Sequence, residues 1–223
     1  MSEEIKEILE GLPFWEHLEK EERELLERES RKVFYPAGAS AYSGARECLG
    51  EIFIQKGILR TYLLSDEGKE VTMYRLRQGD ACVLTASCIL PAITFDVEIE
   101  AQTDVEALLI PVGTLSKITK KNVYAENFVY KEAAKRFSDV VEALQQIMFL
   151  SLTQRVAAFL LDESAKNHSQ SISVTHEELA RQIGSAREAV SRILKQMAKK
   201  GYITLTRGEV KLENKEEMYK LLN

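Results

Sequence analysis

The stretch Thr175-His176-Glu177-Glu178-Leu179-Ala180-Arg181-Gln182-Ile183-Gly184-Ser185-Ala186-Arg187-Glu188-Ala189-Val190-Ser191-Arg192-Ile193-Leu194-Lys195-Gln196-Met197 carries the strongest fold signal in the chain. Thr175 precedes Glu178 by three residues, the spacing at which a hydroxyl and a carboxylate each satisfy a backbone amide at a helix start. Leu179, Ala180 and Ile183 then form the buried face of a short helix, which Gly184 ends. Ser185 and Glu188 repeat the capping-box spacing and predict a second capped helix, with Val190, Ile193, Leu194 and Met197 as its apolar stripe. Gly201, after Lys199-Lys200, is its stop. Two short helices joined by a glycine turn make a helix-turn-helix.

The face opposite that stripe carries Arg187, Glu188, Ser191, Arg192 and Lys195, the first four within two turns of the helix start. These side-chain types match the edges of a DNA major groove. Arginine donates in bidentate fashion to guanine, glutamate accepts from cytosine N4, and serine reaches a base edge or a phosphate. For any single Arg–Glu pair the alternative is a salt bridge on a solvated surface; the whole set on one outward face favours base reading. Further on, Tyr202-Ile203-Thr204-Leu205-Thr206 and Val210-Lys211-Leu212 flank the turn Arg207-Gly208-Glu209 and predict a short hairpin, a wing whose Arg207 and Lys211 can meet phosphates.

Upstream, a helix is predicted from Thr153 to about Lys166. Before it, Tyr130, Ala133/Ala134, Phe137, Val140/Val141, Leu144 and Ile147/Met148 recur at three and four residues, with Lys131, Glu132, Lys135, Arg136, Asp139 and Glu142 on the other faces. This long amphipathic helix either packs on its own chain or buries its seam against a twin. The second reading predicts a homodimer with Phe137, Val140, Val141, Leu144, Ile147 and Met148 at its interface.

From Arg31 to about Pro111 the texture is of short runs rich in Val, Ile, Tyr, Phe and Thr, punctuated by Pro36-Ala37-Gly38, Gln55-Lys56-Gly57, Asp66-Glu67-Gly68 and Gln78-Gly79-Asp80. Regular turn signals between short strands predict a sandwich or barrel, with 59–64 and 70–76 as its clearest hairpin. Residues 5–30 have helical spacing broken at Gly11-Leu12-Pro13, hence short helices.

The chain of 223 residues has 45% hydrophobic and 29% charged residues and only 4 Pro, a globular composition. Its N-terminus lacks the basic and apolar regions of a signal peptide, and no apolar run suits a membrane span, so a cytoplasmic protein with no membrane partner is expected. Cys48, Cys82 and Cys88 are an odd number and no disulfide framework. His17, His168 and His176 are too scattered to nominate a metal. The net charge is −5, yet residues 151–223 carry 12 Lys+Arg against 9 Asp+Glu, and residues 1–150 carry 18 against 26. The basic excess lies with the helix-turn-helix, as a polyanion partner requires, although a solvated helical surface explains it equally well.

In this order the parts resemble the Crp/Fnr family of bacterial transcription regulators, over almost the whole chain. Ser65-Asp66-Glu67-Gly68-Lys69-Glu70 and Leu76-Arg77-Gln78-Gly79-Asp80 are similar to the hairpin and the Gly-Asp entry to the effector pocket in the family's β-roll. Arg187-Glu188-Ala189-Val190-Ser191-Arg192 resembles its recognition-helix signature. The resemblance implies an α+β fold: an antiparallel β-roll (double-stranded β-helix) at 1–115, a dimerisation helix at 116–150 and a winged helix-turn-helix at 151–223. It further implies contact of Arg187, Glu188 and Arg192 with operator bases or the adjacent backbone. Ser191 matches Fnr-like members, favouring TTGA-type over TGTGA-type half-sites in a two-fold symmetric operator. RNA polymerase is the further partner expected of such a regulator.

Departures from the family pattern matter equally. Cyclic-nucleotide binders place a glutamate for the ribose and an Arg-Ser pair for the phosphate after the Gly-Asp; here Ala81 to Val97 holds no arginine, and Asp96 is hostile to an anion. Binding of cAMP in the usual way is not expected. An Fnr-type iron–sulfur cluster is not expected either, because no cysteine precedes Cys48. The effector remains unknown. The sensor candidates are Tyr74, Gly79, Asp80, Cys82, Thr85 and Cys88, the two thiols being either small buried hydrophobes or redox sensors. Two other functions compete: a small-molecule thiol enzyme using Cys82 or Cys88, and a winged-helix adaptor that binds protein. No His neighbours either cysteine in sequence and no nucleophile-elbow or phosphate-loop spacing appears, so the expectation is a regulator and not an enzyme.

Overall fold

The computed structural model describes residues 3–43, 50–66, 68, 70–82 and 97–222. Of the sensor candidates, Thr85 and Cys88 lie outside the described residues, as does Cys48. The chain divides into two compact units, Met1–Leu63 with Met73–Val140 and Leu64–Thr72 with Val141–Asn223.

In the first unit, α1 (Glu3–Glu10), a 3-10 turn (Trp15–His17) and α2 (Lys20–Glu29) are the short helices that Gly11 and Pro13 separate. Strands β1 (Arg31–Tyr35), β2 (Ser40–Ser43), β3 (Gly50–Lys56), β4 (Leu59–Leu64), β5 (Glu70–Leu76), β6 (Ala81–Cys82), β7 (Glu98–Ala101) and β8 (Val105–Pro111) follow. They form two four-stranded sheets in the orders β1-β8-β3-β6 and β2-β7-β4-β5. With helices and antiparallel sheets in separate runs of sequence, the fold is α+β.

Alternation along the strands sorts the core. Phe53, Ala81, Leu108 and Ile110 point toward the helices and pack with Leu9, Leu12, Phe14, Trp15 and Leu26. Ile52, Ile54, Leu109 and Cys82, all buried, occupy the opposite face of the same sheet. Gly50 permits the closest approach of β3 to β8: a Cβ there would lie 2.0 Å from the Ile110 carbonyl oxygen, and the glycine φ of +142° lies where L side chains are strained.

Helices α3 (Val112–Thr119) and α4 (Val123–Phe149) follow, so the long helix begins later than 116 and the chain breaks before it. Asn122 makes the break. Its Oδ1 accepts from the amides of Tyr124 and Ala125 at 3.1 and 3.2 Å, while its Nδ2 donates to the His17 carbonyl and to Glu22. Along the 27 residues of α4, Ala125 and Val129 are buried in the first unit's core. Phe137, Leu144, Met148 and Phe149 are exposed, from 45% at Leu144 to 74% at Phe149.

Glu51, Arg60 and Arg136 are the buried charged residues among those described. Arg136, placed by periodicity on a solvated face, is 4% exposed. It donates to Asp139 at 2.8 Å and to Asp80 at 3.4 Å, and its guanidinium lies over the Tyr74 ring. Glu51 shares the helix-facing side of β3 with Phe53 and is wholly buried, with neither carboxylate oxygen hydrogen-bonded. Burial, and next the charge of Glu132 on α4, push its pKa up to about 8.

In the second unit, α5 (Leu152–Lys166) opens with a capping box of Ser151 and Gln154. Then come β9 (Ser171–Ser173), α6 (His176–Gln182), α7 (Arg187–Lys199), β10 (Ile203–Thr206), β11 (Glu209–Leu212) and α8 (Lys215–Lys220). Thr175 and Glu178 form the expected capping box on α6. The expected second box is absent: Ala186 is the N-cap of α7, with no side-chain cap. The reason is local, since Ser185 is spent closing α6, its amide donating to the Ala180 carbonyl. Gly184, at φ +63°, reverses the chain there. Val156, Leu160, Leu179, Val190, Leu194, Met197, Ile203, Val210 and Leu212 form the core.

Two outcomes follow for stability. Glu51 is protonated in the folded chain across a range where the unfolded chain has ionised it. Its contribution is therefore complete below pH 4.5 and lost as pH rises to about 8. In Glu51→Gln the loss disappears, so the variant gains on the parent by up to about 1.4 kcal/mol per pH unit in that window. The measurement is urea unfolding followed by fluorescence of Trp15, the only tryptophan. Thr175→Ala removes one cap and lowers the stability of the second unit by about 1 kcal/mol. It shifts the far-ultraviolet circular dichroism transition and leaves the Trp15 transition in place.

Candidate nucleic-acid interface

The second unit builds its outward face from the turn between α6 and α7. Arg155 of α5 donates through Nη1 to the Ile183 carbonyl at 2.8 Å, satisfying the end of α6, and Ser185 closes the turn. Helix α7 then leaves with Val190, Leu194 and Met197 buried. Its opposite face comes out as the periodicity predicts: Arg187, Glu188, Arg192 and Lys195 are exposed and Ser191 is half-buried. None of these side chains makes a hydrogen bond or ion pair with the described residues, and neither does Arg207. The surface-salt-bridge reading of Arg187, Glu188 and Arg192 thus fails on geometry. Two guanidinium groups and a carboxylate stand unspent at the helix start.

The wing is β10 and β11, antiparallel with Ile203 opposite Leu212 and Thr206 opposite Glu209. Strand β9, for which the sequence carries no strand signal, adds a third strand by pairing Ile172 with Val210. Arg207 is exposed at the wing tip and Lys211 is exposed on β11, its ammonium beside Glu213 at 3.2 Å. A cleft of 280 Å³ separates the wing from the starts of α6 and α7, with Thr175, His176, Arg187, Thr206 and Glu209 on its walls. Glu177 lines the cleft too, so one cation, Arg187, faces two carboxylates there, and Arg207 stands outside it at the exposed wing tip.

The sensor candidates in the first unit fall in two places. Tyr74 and Cys82 are 7% and 1% exposed, close enough for the thiol to bear on the phenol, whose pKa burial pushes well up. Gly79 and Asp80 lie at the β5–β6 turn. Asp80 accepts from the Arg77 amide at 2.9 Å, from Lys135 Nζ at 2.7 Å and from Arg136. Burial pushes its carboxyl up, but those three partners outweigh burial and hold it below the ordinary aspartate value. The residue the sequence reading missed is Arg136, which brings α4 to Tyr74 and Asp80. Its only local signal is the pair of carboxylates at i−4 and i+3, Glu132 and Asp139. Among the described residues no cluster of three His, Cys, Asp or Glu suits a metal, and no helix is long and apolar enough to cross a membrane.

Comparison with known proteins agrees with this geometry. Residues 154–221 match the family model described as a Crp-like helix-turn-helix domain. The transcriptional regulator SdrP of Thermus thermophilus is 25% identical over 165 residues, 71% of this chain and 77% of that protein. The cAMP-activated global transcriptional regulator Vfr of Pseudomonas aeruginosa is 25% identical over 201 residues, 86% and 91% of the two chains. A crystal structure from Eubacterium rectale, assigned to the Crp/Fnr family of transcriptional regulators, superposes with a TM-score of 0.90 at 36% identity, covering 95% of this chain and 98% of that one. With that degree of identity along nearly the whole length, and a Crp-like helix-turn-helix where the unspent arginines stand, the chain belongs to the Crp/Fnr family of DNA-binding transcription regulators.

Proposed function

We propose that the chain acts as a homodimer on a two-fold symmetric operator with TTGA-type or TGTGA-type half-sites, under a signal sensed in its N-terminal roll. The observation that carries the DNA reading is the unpaired set Arg187, Glu188 and Arg192 on the first two turns of α7. In this reading the arginines donate to guanine edges, Glu188 accepts from cytosine, and Ser191 meets a base edge or phosphate. Lys195 and Arg207 neutralise phosphates, so affinity falls with salt.

Dimerisation follows from the exposed seam of α4. Tyr130, Phe137 and Leu144 recur every seven residues, as do Val141 and Met148, the repeat of a two-helix coiled coil. Phe137 and Met148 are 70% and 71% exposed, and covering such a side chain contributes about 1.5–3 kcal/mol. In the proposed division of labour, residues 1–115 sense, 116–150 dimerise and 151–223 bind DNA, with RNA polymerase as the downstream partner. A dimer sets its recognition helices about 34 Å apart, one turn of DNA, and the signal shifts the population that has this spacing.

For the signal, a cyclic nucleotide is disfavoured despite the cAMP activation in the name of Vfr. Residues 81–97 offer no arginine for its phosphate. Cys82, at 1% exposure, is shielded from oxidants in solvent and fits a packed core residue better than a redox sensor. A small molecule inside the roll, beside Tyr74 and Arg136, is the reading that remains.

Selection of duplexes from a random library by the full chain is expected to enrich an inverted repeat. Arg192→Ala should weaken binding to the selected duplex by roughly 10- to 100-fold, and binding to random DNA far less. Equal losses on both would make Arg192 a phosphate anchor and overturn its role as a base reader. Leu144→Glu buries a charge in the seam, so sedimentation should show a monomer that no longer prefers the inverted repeat over a single half-site.

A further inference from the structure

Glu51 is a buried titratable group that the DNA-facing surface does not use. It stands on β3 opposite Ile110 of β8, on the helix-covered face of the sheet, with no exposed surface and no hydrogen bond to either carboxylate oxygen. An ionised carboxylate without a donor is strongly disfavoured in such a place, so the seated carboxyl keeps its proton.

Among the described residues, the elements on this face offer it no cation. β8 and α3 present Ile110 and Leu115, while the charged residues of α1 and Lys117 of α3 are exposed. Glu22 and Arg23 of α2 are engaged with Asn122 and with the Trp15 ring. Asp80, before β6, is engaged by Lys135 and Arg136 of α4. The charge that bears on Glu51 is that of Glu132 on α4, and it has the same sign. Arg136 Nη2, at 3.5 Å and one helical turn on, keeps Glu132 where it stands. Loss of the Glu51 proton therefore sets two negative charges against each other where α4 covers β3.

The two sides differ in freedom. Strand β3 is fixed by its ladder to β8 from Gly50 to Lys56, whereas α4 meets it through side chains, Phe128 stacked on Phe53 with centroids 6.0 Å apart. Displacing the strand breaks backbone hydrogen bonds; displacing the helix breaks none of them. We propose that Glu51 is a proton-operated latch for the long helix: protonated, it lets the first turns of α4 seat on β3, and ionised, it drives them off while the strands stay paired. Seated, the carboxyl holds its proton up to about pH 8; with the helix displaced and the group in water, it ionises above its ordinary value of 4.5. The seated state is thus favoured in full below pH 4.5 and loses ground as pH rises to about 8, a window that includes neutrality.

The test is hydrogen–deuterium exchange of the full chain, read by mass spectrometry as protection factors for residues 123–136 of α4 and for β8, across the window below about pH 8. In the parent, protection of 123–136 is expected to lie below that of β8 and to fall with pH by up to about tenfold per unit, the ratio set by one proton. In Glu51→Gln, whose amide does not ionise, the fall should disappear. Glu51→Met, which leaves no polar atom to bury, reads the same effect where the amide variant folds poorly. A slope that persists in a folded variant overturns the proposal, as does protection of 123–136 that is independent of pH in the parent. Protection of 123–136 equal to that of β8 at every pH also overturns it, because the helix then leaves only when the whole unit unfolds.

Discussion

The DNA-facing surface depends on how the end of α6 is satisfied. A helix leaves its last carbonyls without partners, and a sharp turn into a second helix gives them no further helical amides. Here the Ile183 carbonyl receives the Arg155 guanidinium at 2.8 Å, a cation at the negative end of the helix dipole, and the Ala180 carbonyl receives the Ser185 amide. The turn is thereby closed from inside the unit. Since Ser185 is consumed in it, α7 begins without a side-chain cap, and its first amides face solvent beside Arg187 and Glu188. What a stability argument would call a missing cap leaves the start of α7 without a side-chain acceptor, next to the residues proposed to read bases.

Much of this was legible in sequence because helical and strand periodicity are geometric. The faces of α7 followed from the spacing of Val190, Leu194 and Met197, and the hairpin of β10 and β11 from the Arg207-Gly208-Glu209 turn. The failures have physical causes. Ser185 and Glu188 have the right spacing for a capping box, but spacing does not reveal that the Ser185 amide is already committed. Strand β9 is three residues long with only Ile172 buried, and it exists because β11 lies beside it, a partner some forty residues on. The expected helix at 116–150 extended across Asn122, whose capping role depends on the distant His17 carbonyl holding its amide in place.

Buried charge was the least legible feature. Arg136, in a charged helical run, read as solvated, and nothing local marks the glutamate of Gly50-Glu51-Ile52-Phe53-Ile54 as buried. The outer face of β3 is covered by helices drawn from both ends of the first unit, so Glu51 is enclosed by packing that no local window contains. Arg136 is buried because Asp80, from a turn 56 residues earlier, meets α4 there.

That enclosure bears on how the long helix is held against the strands. Apolar packing tolerates small slides, since Leu, Val and Phe contacts are non-directional; a guanidinium held by Asp139, Asp80 and Glu132 at 2.8–3.5 Å is not so tolerant. Removing one partner of a buried ion pair costs several kcal/mol, whereas the intact network adds little net stability. Glu132 and Asp139 belong to α4 itself, so what ties Arg136 to the strands is Asp80 at 3.4 Å and the Tyr74 ring, with Lys135 on the same Asp80 at 2.7 Å.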